Sequence, residues 1–187
     1  MGSAKGLEPF PRSQAASEGR PEASLKVGVL TASDRGARGE REGKSGKVIA
    51  ELIRGIGGEV AEYAVVPDVK TVIAGKLTEM ADTLGLDLIL TTGGTGLGPR
   101  DVTPEATLEV IERQVPGMAE AMRAASIEKT PHGMLSRAVV GTRGQTLIVN
   151  LPGSPVAVRE CLEVILPALP HAVQVLKGRV ADCARPD

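Results

Sequence analysis

The run Thr91-Thr92-Gly93-Gly94-Thr95-Gly96-Leu97-Gly98-Pro99-Arg100-Asp101-Val102-Thr103-Pro104-Glu105-Ala106-Thr107 constrains this chain more than any other stretch. Asp87-Leu88-Ile89-Leu90, just before it, has the length and bounds of a buried strand. After it a helix is expected, with Thr103 as N-cap, Pro104 at the first helical position and Glu105 in the first turn. The order is strand, glycine loop, helix. Gly93, Gly94, Gly96 and Gly98 let backbone N–H groups converge on a ligand without side-chain obstruction. Thr91, Thr92 and Thr95 add hydroxyl donors, and an anion is the expected guest. Neither standard nucleotide loop is present: no lysine lies between Lys76 and Lys129, and G-x-G-x-x-G is absent as a strand-turn-helix unit. Instead Arg100-Asp101 sets a fixed cation beside a carboxylate, which suits a phosphate held with a divalent metal. The alternative is a plain turn with a surface Arg-Asp pair. Three hydroxyls, four glycines and that pair in one loop favour a ligand.

Around this loop the pattern is α/β. A buried strand is expected over 26–32, ending in Ser33-Asp34-Arg35-Gly36. Thr31, Ser33 and Asp34 thus fall at a strand's C-terminal end, where open α/β sheets bind ligands, although Ser33-Asp34 also reads as a simple turn. A charged loop over 37–44 follows, then a helix capped by Ser45-Gly46 with Val48, Ile49, Leu52, Ile53 and Ile56 inward. A second strand over 59–66 leads to Pro67-Asp68. Asp68 is either the N-cap of a helix opening at Val69 or a second carboxylate near the site. That helix ends at Gly85. The order β-α-β-α-β-loop-α gives a parallel sheet with right-handed crossovers. Two helices, over 104–113 and 117–128, come next, and the stripe Met118, Ala121, Met122, Ala125 reads as packing or subunit contact. A hairpin over 138–151 supplies an antiparallel edge. Within its approach, Ser136 is a site candidate, and Arg137 is either a phosphate partner or a solvated charge. Gly153-Ser154-Pro155 starts a last helix and offers a second anion cradle.

Composition excludes some classes. The chain of 187 residues carries a net charge of −1, one tyrosine, one phenylalanine and no tryptophan. Stacking of bases on aromatic rings is therefore nearly unavailable, and no overall field attracts nucleic acid or an anionic membrane. No apolar run reaches the roughly 20 residues of a bilayer span, and no secretory signal is visible. Cys161 and Cys183 make no metal spacing, so a reduced cytoplasm is the expected setting. His132 and His171 stand outside every motif. The expected division is a disordered tail at 1–24, an α/β domain at 25–178 and a frayed tail at 179–187.

The run TTGGTGLGPRDVTPEAT resembles the signature of molybdenum-cofactor biosynthesis proteins of the molybdopterin adenylyltransferase type. That family includes bacterial enzymes and the corresponding domain of fusion proteins such as gephyrin. The similarity extends from about Lys26 to Lys177 through Ser-Asp after the first strand, Val-Pro-Asp, Met-Leu-Ser-Arg and Leu-Pro-Gly-Ser-Pro. An acidic residue is common in the family where this chain has Gly43 or Lys44. The resemblance implies a three-layer α/β/α sandwich with a mostly parallel sheet, usually a homotrimer. It implies transfer of AMP from ATP to the terminal phosphate of molybdopterin, with Mg2+, releasing pyrophosphate. Hand-over of the product to a molybdenum-insertion protein would follow. It links Asp68 to catalysis, and with Asp101 gives two candidate metal ligands. Thr92, Gly93, Gly94, Thr95, Gly96 and Arg100 would hold one ligand, while Thr31, Ser33, Asp34, Ser136, Gly153 and Ser154 would border another. A phosphate monoester is largely dianionic at neutral pH, with a second pKa of about 6, so it needs no general base. It needs charge neutralisation and alignment. A non-catalytic molybdopterin-binding or scaffold module of the same fold is the alternative. A related enzyme of the competence-protein type is a third reading. From chemistry alone the reading stops at a phosphorylated ligand on an α/β domain.

Overall fold

The computed structural model describes residues 24–40 and 43–180. The expected tails lie outside the described residues except for 24, 179 and 180, as do Phe10 and Cys183. The elements are β1 (Leu25–Ala32), α1 (Asp34–Ala37), α2 (Lys44–Arg54), β2 (Gly58–Val66), α3 (Lys70–Thr78), β3 (Leu88–Thr92) and α4 (Thr103–Val110). They continue as β4 (Arg113–Gln114), α5 (Pro116–Lys129), β5 (Val140–Arg143), β6 (Thr146–Leu151), α6 (Pro155–Ile165) and α7 (Leu169–Leu176). One six-stranded sheet has the order β2-β1-β3-β6-β5-β4. β2, β1, β3 and β6 run parallel; β5 and β4 add an antiparallel edge.

Two apolar cores, one on each face, make this a three-layer molecule. Alternation along the strands sends Val27, Val29, Leu88, Leu90, Leu147 and Val149 to one face, where Ile49 and Ile53 of α2 and Val158, Leu162 and Ile165 of α6 meet them. The intervening Leu30, Ile89 and Ile148 face Ile73 and Leu77 of α3 and Ala106 and Val110 of α4. Strands covered on both sides must be apolar throughout, and β3 and β6 are buried at every residue. β2 at the edge instead alternates partly buried with exposed residues.

Several local expectations change. Ser33 caps α1, a single turn where only a loop was expected, by accepting from the Gly36 amide at 3.0 Å. Ser45 lies inside α2, whose cap Gly43 makes no side-chain bond; the Ser45 hydroxyl donates to the Gly153 carbonyl at 2.8 Å instead. Asp68 does not cap α3, because Val69 holds that position. Thr103 is the first residue of α4 and Val102 its cap. The two-residue β4 was not foreseen, since two exposed polar residues carry no period. In α5, Ala119 and Met122 are buried and Met118 packs beside them, whereas Ala121 is exposed, so the methionine stripe belongs largely to the core. Among the described residues no helix is long and apolar enough to cross a membrane.

Candidate functional site

β1 and β3 are neighbours, yet the chain leaves β1 toward the α2 face and leaves β3 toward the α4 face. Such a switch point opens a crevice at the strands' C-terminal ends, where α/β sheets bind ligands. The crevice here is a cleft of about 620 Å³. Loops following β1, β2, β3 and β6 all reach it.

The glycine loop forms the floor. Gly93 and Gly94 have φ of +96° and +65°. A Cβ on Gly93 would sit 2.4 Å from the Ala32 carbonyl oxygen, and one on Gly94 would sit 2.4 Å from Thr103 Oγ1. Only glycine lets the loop run this close to β1 and α4. The threonines are structural. Thr92 donates to the Pro152 carbonyl at 2.7 Å, and Thr91 accepts from Asn150 Nδ2 at 3.0 Å. Asn150 Nδ2 also donates to Thr107 Oγ1 at 2.8 Å, so a buried amide ties β3, β6 and α4 together beneath the site.

Arg137 holds the outer half of the loop. Its amide donates to the Thr95 carbonyl at 3.0 Å and its Nε to the Gly96 carbonyl at 2.7 Å. Its two terminal nitrogens donate to Glu105 and to the Asp101 carbonyl. Its guanidinium is thus turned to the loop, and Arg137 does not line the cleft.

Three carboxylates stand at the cleft. Asp34 and Asp68 are linked reciprocally: the Asp34 amide donates to Asp68 Oδ2 at 2.8 Å, and the Asp68 amide donates to Asp34 Oδ1 at 3.0 Å. Arg100 grips Asp34 from outside, Nη2 to Oδ1 at 2.8 Å and Nε to Oδ2 at 3.1 Å. With Arg100 58 % exposed, this pair fixes geometry more than it adds stability. The Arg100 hydrogen bond, then the Asp68 amide, hold the Asp34 carboxyl below the usual carboxylate range. Burial pushes the Asp68 carboxyl up, against the Asp34 amide bond, and the charges of Asp34 and Asp101 push it further. Asp101 Oδ2 accepts from the Gly98 amide at 2.8 Å. Asp68 Oδ1 and Asp101 Oδ1 accept no hydrogen bond among the described residues.

The far wall is built from two helix starts. Ser154 caps α6 by accepting from the Ala157 amide, as expected. Ser45 pins the start of α2 to the same turn through Gly153. Lys44, the first residue of α2, lines the cleft. Tyr63 lies over this start: a Cβ on Gly43 would be 2.3 Å from its Oη, and Oη is 3.4 Å from Thr31 Oγ1. A side chain at position 43, such as the acidic one that the family's pattern would place at 43 or 44, would require Tyr63 to move.

The family model described as a probable molybdopterin binding domain matches residues 28–171. The chain belongs to that family. Among its relatives, a molybdopterin adenylyltransferase of Helicobacter pylori is 43% identical over 157 residues, covering 83% of this chain and 89% of its own. Gephyrin of Dictyostelium discoideum is 44% identical over 171 residues, 86% of this chain and 24% of its own. The solved structure of the molybdopterin biosynthesis enzyme MoaB from Thermus thermophilus is 55% identical, with a TM-score of 0.79 over 82% of this chain and 97% of its own.

For a member of this molybdopterin-binding family, the sequence located most of the cleft. Thr31, Ser33, Asp68, Thr92, Gly93, Gly94, Asp101, Gly153 and Ser154 line it, and Asp34 is bonded to its edge. Thr95, Gly96 and Arg100 do not line it: the first two are held by Arg137, and Arg100 is turned to Asp34. Ser136 lies beside a separate small cavity with Met122, Ser126 and Cys161. Lys44 and Ser45 were missed as site residues because they looked like part of a charged loop and a helix cap.

Proposed function

We propose that this chain is a molybdopterin adenylyltransferase. It would take AMP from ATP onto the terminal phosphate of molybdopterin, giving adenylyl-molybdopterin and pyrophosphate. A phosphate oxygen of molybdopterin attacks the α-phosphorus of ATP; that P–O bond forms as the bond to the β-phosphate breaks. The attacking monoester is already ionised, so no proton acceptor is required. Accordingly, nothing in the reading depends on His132 or His171, both of which are exposed.

The observation that carries the reading is a pair of carboxylates, each with an unengaged oxygen, on one cleft with a glycine cradle and two helix starts. Two polyanions would not enter a cleft bearing Asp68 and Asp101 unless cations came with them. No group of three His, Cys, Asp or Glu among the described residues could hold a metal. Two carboxylates completed by phosphate oxygens and water suit magnesium, which seldom uses an all-protein cage. Asp68 and Asp101 would hold it, and when bound it would neutralise phosphate charge as the P–O bonds exchange. The Gly98 amide keeps Asp101 aimed, and the Asp34 amide does so for Asp68. Gly94 and the α6 start supply backbone N–H groups, whereas the Gly93 amide is bonded to the Leu151 carbonyl at 3.3 Å.

The same reading takes the protein to be cytoplasmic and a homotrimer whose product passes to a molybdenum-insertion protein. Support for assembly comes from Leu97, Met134 and Val156, which are 66%, 63% and 68% exposed. The test is pyrophosphate release from ATP plus molybdopterin with and without magnesium. Release that needs all three is expected. Molybdopterin binding without release would make this a binding module.

A further inference from the structure

We propose that Lys44 is the phosphate-holding cation of the cleft, a role that the sequence pattern had suggested for Arg100. The inference rests on the adenylyltransferase reading, and it follows from where the other cations are committed. Arg100 gives Nε and Nη2 to Asp34 and lies outside the lining. Arg137 spends its amide, Nε and both terminal nitrogens on the glycine loop and Glu105. Arg38 is paired with Glu40 at 2.7 Å. Arg35 does not line the cleft. Lys44 is the one lysine or arginine that lines it among the described residues, and it makes no ion pair with Asp68 or Asp101 there.

Its setting suits an anion. Lys44 opens α2, an eleven-residue helix with no acidic residue in its first turn and no side-chain cap. That first turn and Lys44 both border the cleft, where helix-start amides and a lysine each favour an anion. Ser45 Oγ, donating to the Gly153 carbonyl, holds this start beside the Gly153-Ser154 turn of α6. Gly43 puts no carboxylate beside Lys44, and any side chain at that position would require Tyr63 to move. The cleft thus has an acidic side at Asp68 and Asp101 and a cationic side at Lys44. A phosphate on the Lys44 side leaves the carboxylates free for a metal. A lysine holds phosphate as a point charge rather than bidentately.

The phosphate could belong to the nucleotide or to the pterin, and the two are separable. Wild type, Lys44→Gln and Lys44→Arg are titrated calorimetrically with ATP plus magnesium and, in separate cells, with molybdopterin. Lys44→Gln should weaken one of the two ligands by roughly tenfold or more, as expected for a lost charge-assisted hydrogen bond, and leave the other unchanged. Lys44→Arg should restore much of the loss. In turnover, KM for that ligand should rise while kcat stays within about twofold, since the lost contact is made equally before and during transfer. Raising salt should weaken wild type more than Lys44→Gln. The ligand that responds identifies the phosphate that Lys44 holds. Equal loss for both ligands, or loss for neither, overturns the assignment. If wild type binds but releases no pyrophosphate, the adenylyltransferase reading fails while the binding comparison still decides the role of Lys44. If wild type binds neither ligand, both fail.

Discussion

Asp101 and Asp68 are held differently, and their variants should differ accordingly. Asp101→Asn should keep the fold, keep molybdopterin binding and lose most turnover, because a neutral amide neutralises no cation. Unchanged pyrophosphate release with an unchanged melting temperature would remove Asp101 from the metal site. For Asp68 the sign follows from its raised carboxyl. The folded protein holds that proton more tightly than the unfolded chain, whose value is about 4. The resulting stability is present below that value and disappears as pH rises through the folded one. Asp68→Asn escapes this loss, so its stability relative to wild type should improve between acidic and neutral pH in urea melts. Its turnover should nevertheless fall, and wild-type activity should drop on acidification above the ordinary carboxylate range. A variant destabilised equally at both pH values would mean that the bond from the Asp34 amide matters more than the charge. Gly94→Ala must accommodate φ of +65° and a Cβ 2.4 Å from Thr103 Oγ1, so weaker ligand binding is expected by titration. Wild-type affinity in that variant would contradict the cradle. These residues were legible because glycine and aspartate are used for properties their neighbours lack. Lys44 was not, since a lysine in a charged stretch looks the same whether it faces solvent or a ligand.

Among the elements, the buried Asn150 amide joins β3, β6 and α4 through Thr91 and Thr107. Asn150→Ala would leave those hydroxyls without their donor in a dry interior. A loss of roughly 1–3 kcal/mol is expected from urea denaturation, together with weaker ligand binding as the glycine loop and the Gly153 turn loosen. A loss below about 0.5 kcal/mol, the usual range for surface changes, would show that the network is not a brace. The elements themselves followed from period and punctuation: the first three parallel strands and the Ser154 cap stand where the sequence placed them, and the hairpin is present, although its second arm β6 pairs parallel with β3 instead of lying in an antiparallel edge. Helix starts were harder. Ser45 was read as a cap, but its hydroxyl goes to Gly153, 108 positions away, and Asp68 serves the Asp34 amide rather than its own helix. A local rule cannot see a distant partner that offers the same atom a bond. Nor could it see β4, whose two residues exist as a strand only because β5 is beside them.

At the scale of the whole molecule, the assembly proposal has to use surfaces other than the α5 methionines, because Met122 is buried and Met118 packs against the core. Arg137 ties the segment after Met134 and Leu135 to the loop that carries Leu97, and all three apolar side chains are exposed. Light scattering at micromolar concentration should give the mass of three chains, and Leu97→Glu with Met134→Glu should shift it toward one. A wild-type monomer would end the proposal. The near absence of aromatic rings has a practical side. The chain has no tryptophan and a single tyrosine. Tyr63 Oη is 3.4 Å from Thr31 Oγ1 on the cleft wall and lies over the start of the helix that carries Lys44. With no indole to capture its excitation, ultraviolet emission from this protein comes essentially from one phenol, whose hydroxyl approaches the cleft residue Thr31. Unlabelled protein therefore carries its own optical probe of whatever enters the cleft.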